Sequence, residues 1–262
     1  AMRIVSWNVN SLKPRHDRFF RFLDQWQPDV VCLQETKSLV EDLPKEAIES
    51  AGWHLAAVGQ KTYNGVALVS KTPIEVVSEG LDNFEDPQAR FILGETGGIR
   101  IASAYIPNGK EVGCDKHEYK LKWLAALRNH LDRLEDPQSD LAILGDWNCA
   151  PRDTDAKNID KWRDSVLCHD SVREAIQHVR DFGLIDPHEA IEAEGGVFTW
   201  WDYRNLGFPK NDGLRIDHAL LSESLNRRVT QVQVDRDERK AHAELDIGKP
   251  SDHAPLIVDL ED

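Results

Sequence analysis

Positive charge is scarce in this chain of 262 residues: 32 lysines and arginines stand against 46 aspartates and glutamates, a formal net charge of −14. That balance excludes a protein that holds nucleic acid by its overall field and leaves only a local basic face or a bound cation for the purpose. Cysteine is sparse too. Cys32, Cys114, Cys149 and Cys168 show no C-x-x-C spacing, which argues against a zinc site and for reduced thiols in a cytoplasmic protein. No apolar stretch reaches the length that spans a bilayer, and the first residues show no signal-peptide pattern, so no membrane is expected. A glycine-rich phosphate loop is missing, as is any serine or cysteine in a nucleophile context. No linker, low-complexity run or fixed-period repeat divides the chain, and one domain over residues 1–262 is expected.

What the chain has is a set of strands that end in polar side chains. Leu141-Ala142-Ile143-Leu144 is an apolar run that reads as a buried central strand, and Asp146 and Asn148 follow at its exit. A spacing of two on an extended chain puts both side chains on one face. Residues 2–9 alternate and close on Asn8; residues 29–35 form a second buried strand that delivers Gln34 and Glu35. Between residues 54 and 106, short β-like runs follow one another without helices, the last ending at Tyr105. Residues 214–221 form another strand and carry Asp217; residues 229–234 alternate cleanly; Asp252 and His253 precede a final strand at 256–260.

Helices are expected over residues 12–26, 44–51, 116–134 and 171–182. The third carries a stripe of Leu121, Leu124, Leu127, Leu131 and Leu134, with Lys116, Lys120 and Lys122 assigned to a solvated face. Ser171 and Glu174 fit a capping box at the start of the fourth. An all-parallel sheet needs a helix between most strands, and the middle of the chain has none. The expected class is therefore α/β, with two mainly antiparallel sheets packed face to face and helices outside.

Collected, the strand-end groups are Asn8, Glu35, Tyr105, Asp146, Asn148, Asp217, Asp252 and His253. Several carboxylates with amides and one histidine are hard-oxygen chemistry, suited to Mg²⁺ or Mn²⁺ rather than zinc. Such an ion can neutralise a phosphate. Singly, each residue fits a bland role: Asn8 a turn cap, Tyr105 a core tyrosine, His253 a surface histidine beside a proline turn.

The ordered motifs carry more. Trp7-Asn8-Val9-Asn10, Leu33-Gln34-Glu35-Thr36-Lys37, Tyr63-Asn64-Gly65-Val66-Ala67, Tyr105-Ile106-Pro107-Asn108-Gly109, Gly145-Asp146-Trp147-Asn148, Leu214-Arg215-Ile216-Asp217-His218 and Ser251-Asp252-His253-Ala254-Pro255 occur in that order. The set resembles the exonuclease III branch of the exonuclease and abasic-endonuclease family, within the endonuclease–exonuclease–phosphatase superfamily. The resemblance covers essentially the whole chain and implies a four-layer α/β sandwich. It also implies a Mg²⁺-dependent DNA repair nuclease, with Mn²⁺ as substitute. Such an enzyme incises 5′ to abasic sites and removes nucleotides or blocking groups from 3′ ends of duplex DNA, acting as a monomer. The alternatives are a superfamily phosphatase on phosphoinositides or other small phosphoesters, and a non-catalytic DNA-binding relative.

Roles follow from the same resemblance. Glu35, with Asn8 nearby, matches the metal site, and Asp252 stands at or behind it. Asp146 matches the group on the attacking water. Asn148 and Tyr105 match contacts to the scissile phosphate, and Asp217 pairs with His253, which faces that phosphate. Trp200, Leu214 and Ile216 match walls of a pocket for a flipped-out, base-less sugar, though core packing suits Ile216 nearly as well. In the loop at 204–210, Phe208 is the candidate wedge into a DNA groove, with local packing equally open. Arg90, Arg204, Lys210 and Arg215 are candidate phosphate contacts, and Lys61 a weaker one. Two positions depart from the pattern: Trp147 where phenylalanine or methionine is familiar, and Asn10 where some relatives have aspartate.

Overall fold

The computed structural model describes residues 1–262, and its fourteen strands fall into two six-stranded sheets and one short ribbon. The first sheet holds Met2–Asn8 (β1), Val30–Gln34 (β2), His54–Val58 (β3), Val66–Ser70 (β4), Val229–Val234 (β13) and Leu256–Leu260 (β14), in the order β13-β14-β1-β2-β4-β3. The second holds Glu75–Glu79 (β5), Phe91–Thr96 (β6), Ile99–Tyr105 (β7), Leu141–Asp146 (β8), Leu184–Ile185 (β9) and Asp217–Ser222 (β12), in the order β5-β6-β7-β8-β12-β9. Trp200–Trp201 (β10) and Gly213–Leu214 (β11) make the ribbon. All neighbours run antiparallel except β1 with β2 and β7 with β8.

Period-two alternation explains the layering. Ile4, Val30, Cys32, Val66 and Leu68 of the first sheet face Ile101, Ala142, Leu144, Ala219 and Leu221 of the second in one buried interior. The outward side chains of the first sheet, Val5, Trp7, Val31 and Leu33, meet Phe19, Phe22 and Leu23 of His16–Trp26 (α1) and Ile48 of Lys45–Ser50 (α2). Those of the second, Phe91, Leu93, Ala102 and Ile143, meet Asp115–Leu134 (α3) and, after the short Ile159–Trp162 (α4), Asp170–Arg180 (α5). Helix, sheet, sheet, helix is the four-layer α/β sandwich expected. Every residue of β8 is buried, because helices cover one face and the partner sheet the other.

Several boundaries shift for local reasons. The helix expected from residue 12 begins as a 3₁₀ turn, Lys13–Arg15, where Pro14 lacks an N–H and Arg15 turns to bond the carbonyls of Val9 and Asn10. The capping box at Ser171 does not form. His169 caps α5 instead, its ring accepting the Ser171 N–H, and the Ser171 hydroxyl sits between His169 and His117. The leucine stripe of α3 is rotated, so Trp123 and Ala126 are buried while Leu134 is 48% exposed. The segment at 198–203 narrows to the ribbon strand β10. The short helices Pro187–Ile191 (α6) and Glu223–Asn226 (α7), with α4, carried too few residues to show a period.

Candidate active site

The parallel pairs β1/β2 and β7/β8 bring four strand C-termini to one edge, and antiparallel β12 starts there, with Asp217 in register opposite Asp146. Gly145 is required just before Asp146: a Cβ built there would lie 2.0 Å from the Ala104 carbonyl oxygen. The loop at Ser251 closes the edge, its hydroxyl donating to the Asn8 carbonyl at 2.7 Å. His253 is thereby set over the strand ends.

At the centre, one ligand atom each from Glu35, Asp146 and His253 lie within 4.8 Å of one another. Asn8 Nδ2 donates to Glu35 Oε2 at 2.6 Å and to Asp146 Oδ2 at 2.9 Å, while its Oδ1 accepts the Asn10 N–H. Asn8 therefore stands here as a donor that spaces the two carboxylates. Asp146 Oδ1 accepts the Asn148 N–H, and Asn148 Nδ2 donates to the Ile106 carbonyl. His253 Nδ1 meets Asp217 Oδ2 at 2.8 Å, and its Nε2 lies 3.5 Å from Asp146.

Burial sets the charges. It is the main force pushing the Asp146 carboxyl up to about 7; neighbouring Asp217 and Glu35 add to this, and His253 opposes it. Burial alone would favour a neutral His253 ring, but Asp217 and then Asp146 outweigh it and hold its pKa well above the ordinary value. A protonated imidazole is a donor and cannot ligate a metal. The Tyr105 phenol is raised well above its usual value by burial and by Glu35 and Asp146, so it stays a donor. The donor set fits a divalent cation on the Glu35 side, where Glu35 and Asp146 approach each other and the one lysine near Glu35, Lys37, stands at 3.7 Å.

Comparison with known proteins gives the family. The model of the endonuclease/exonuclease/phosphatase family matches residues 5–253. The chain belongs to this family. Exodeoxyribonuclease III of Haemophilus influenzae is 35% identical over 99% of this chain and all of its own length. Among solved structures, an AP endonuclease from Archaeoglobus fulgidus superposes with a TM-score of 0.95 at 32% identity, covering both chains completely. The 3′ phosphatase NExo from Neisseria, bound to a product DNA hairpin, gives 0.94 at 37% identity, again over both full chains. The protein is a DNA repair nuclease of a metal-dependent family.

Around the centre, the nuclease places its other expected residues unevenly. Arg90 lies over the rings of Tyr105 and Tyr119, at 4.8 and 5.6 Å, and donates to the Tyr105 carbonyl. With Tyr63, Asn108, Lys110 and Lys116 it lines a cavity of about 620 Å³ that opens beside Tyr105. Lys61 lines a second groove with Lys13 and Lys37. Arg204 and Lys210 are exposed, Arg204 paired with Asp202. Trp200 is half-buried, edge-on to Trp162, and donates to Asp252 Oδ2 at 3.0 Å. Asp252 is not among the clustered ligand atoms and its Oδ1 has no partner, so it stands behind the centre as a support for Trp200.

Three groups pack otherwise than as DNA contacts, which for Ile216 and Phe208 is the packing alternative left open from the sequence. Arg215 is fully buried, forked onto Asp155 and bonded to Asp186, so its guanidinium offers no surface to a phosphate. Leu214 and Ile216 are 0% and 2% exposed in a small core with Ala150, Ala156 and Leu167, and they back Trp200 instead of walling a pocket. Phe208 packs edge-on to Trp201 beneath Arg236 and Arg239; the exposed apolar tip of its loop is Leu206. The structure adds groups that single residues did not signal. Thr199 Oγ1 accepts the N–H groups of Ile216 and Asp217, and Asn108 Nδ2 meets Asn148 Oδ1 at 3.4 Å. Lys120 is wholly buried, not solvated.

Proposed function

We propose that this nuclease hydrolyses phosphodiesters 5′ to abasic sites and cleans 3′ ends of duplex DNA, using Mg²⁺ with Mn²⁺ as a substitute, as a monomer in the cytoplasm. The observation that carries this is the convergence of Glu35, Asp146 and His253 within 4.8 Å at the closed edge of the sandwich. Glu35 would hold the cation, which when bound would offset the charge that builds on the phosphate oxygens. Asp146, buried and with a pKa near neutrality, takes the proton of the attacking water. Asn148, the Tyr105 hydroxyl and protonated His253 offer donors to the phosphate, stabilising the in-line transition state. Asp217 keeps the His253 ring oriented and charged. Arg90, Lys61, Arg204 and Lys210 touch flanking phosphates, and Trp200 stacks on the extruded sugar. The domain is one unit, and its four free cysteines, three of them buried, suit a reducing compartment.

A gel assay tests the reading. Duplexes carrying an abasic site, a recessed 3′ end and a 3′-phosphate are incubated with the protein and Mg²⁺, beside a soluble phosphomonoester. Cleavage of the duplexes, abolished by chelator, is expected. Turnover of the small ester alone would refute it.

A further inference from the structure

Lys120 lies in the second turn of α3 with no exposed surface, and no carboxylate is bonded to it. Its ammonium donates to three main-chain carbonyls: Asn148 at 2.7 Å, Val166 at 2.9 Å and Asn108 at 3.0 Å. Each belongs to a different loop under the active edge. Gly109 leaves room for the stem, since a Cβ there would lie 3.0 Å from Lys120 Cδ. An ammonium has three protons to give and a neutral amine two, so only the charged form satisfies all three carbonyls.

Asn148 is the loop residue that most needs holding. Its backbone is left-handed, with φ of 47°. Its N–H goes to Asp146, its carbonyl to Lys120 and its Nδ2 to the Ile106 carbonyl, which leaves one amide proton unassigned. We infer that Lys120 is a positioning residue for hydrolysis: its buried ammonium ties the loops of Asn108, Asn148 and Val166 together and holds that free amide proton toward the phosphate. The inference rests on the reading of Asn148 as a phosphate contact.

A pH dependence follows. The titratable groups facing Lys120 are Asp146 at the end of β8, Cys149 beyond it, Cys168 ahead of α5, and His117 on its own helix. Burial lowers the Lys120 pKa to about 8, against the upward pull of Cys149, Asp146 and Cys168. Burial keeps both thiols protonated, Cys149 up to about 12. Above pH 8 the lysine becomes an amine, one carbonyl loses its donor, and the Asn148 loop is released.

The test is steady-state kinetics from about pH 6 to pH 10 on whichever of the three duplexes is cleaved fastest, at saturating metal, for wild type, Lys120→Met and Asn148→Ala. The wild-type kcat is expected to fall above about pH 8 with a midpoint that does not move when Mn²⁺ replaces Mg²⁺. Lys120→Met is expected to lose about a hundredfold in kcat with little change in KM, and to lack that alkaline fall. A purely structural lysine would lower the melting temperature and leave the shape of the pH profile unchanged. Wild-type kcat in Lys120→Met, or an alkaline midpoint that follows the metal, overturns the inference. Should the variant not fold, the wild-type midpoint and its metal dependence still decide. If Asn148→Ala turns over like wild type, the assignment of Asn148 fails; if only Asn148→Ala is impaired, the lysine alone is refuted.

Discussion

Replacing Asp217 with asparagine keeps the size of the side chain and one acceptor oxygen but removes the charge that faces His253 at 2.8 Å. Both groups are buried, at 0% and 4% exposure, so solvent screens little of their attraction. Breaking such a buried pair costs about 3–5 kcal/mol. If about 3 kcal/mol of that falls on the imidazolium, its pKa drops by about two units, and its charged fraction falls by up to about a hundredfold as the pH rises from the new pKa through the old one. Asp146, at 3.5 Å, offsets part of the loss, and burial pulls the ring toward neutrality. In wild type the folded pKa is raised, so the stabilisation from charging His253 is fully present below the ordinary value of 6.5 and lost only as pH rises through the folded value. Near neutral pH the pair is therefore intact. Asp217→Asn should lower single-turnover cleavage by up to about a hundredfold, most strongly at the alkaline end of the series, and the ratio of variant to wild type should climb as the pH is lowered. The assay is single-turnover incision of a duplex over a pH series, with melting curves alongside. A ratio that stays flat with pH would mean that Asp217 only orients the ring.

Other perturbations probe the surroundings. Trp200→Ala should weaken DNA binding by about 1–3 kcal/mol in a Kd measurement while the melting temperature falls little, because its core neighbours Leu214 and Ile216 remain; unchanged Kd with a lower melting temperature would make Trp200 a packing residue. Metal affinity measured by calorimetry should rise with pH up to about 7 and then level off, since a proton on the raised Asp146 competes with a nearby cation; a pH-independent affinity would contradict this. DNA affinity should fall with salt on a slope of about −3 to −5, as for a few phosphates met by a local basic face, and the absence of any slope would leave Lys61, Arg90, Arg204 and Lys210 without a role.

Much of the sandwich was legible because its strands alternate or run apolar, and that period depends on neighbours along the chain. The strand ends at Glu35, Asp146, Asp217 and His253 were legible as motifs, and the fold brings them together. What stayed hidden depends on partners far away in sequence. Arg215 is buried by Asp155, 60 residues earlier, and by Asp186, 29 residues earlier. Lys120 shares the helical spacing of Leu124, Leu127 and Leu131, unlike exposed Lys122, but its charge argued for solvent, and the three loops that present carbonyls to it lie outside α3. Phe208 sits in a loop whose sequence suits a wedge, yet Trp201 and two arginines cover it and leave Leu206 at the tip.

The division of labour between the two central carboxylates is the core of the account, and a metal titration with two variants tests it most directly. Glu35→Gln keeps shape and weakens a hard-cation ligand, so part of its loss should return at high Mg²⁺ or with Mn²⁺. Asp146→Asn removes the group on the attacking water, and added metal cannot replace it. Turnover of one abasic duplex across the titration should therefore recover in Glu35→Gln and stay low in Asp146→Asn. Recovery of Asp146→Asn with none in Glu35→Gln would show the two roles to be reversed.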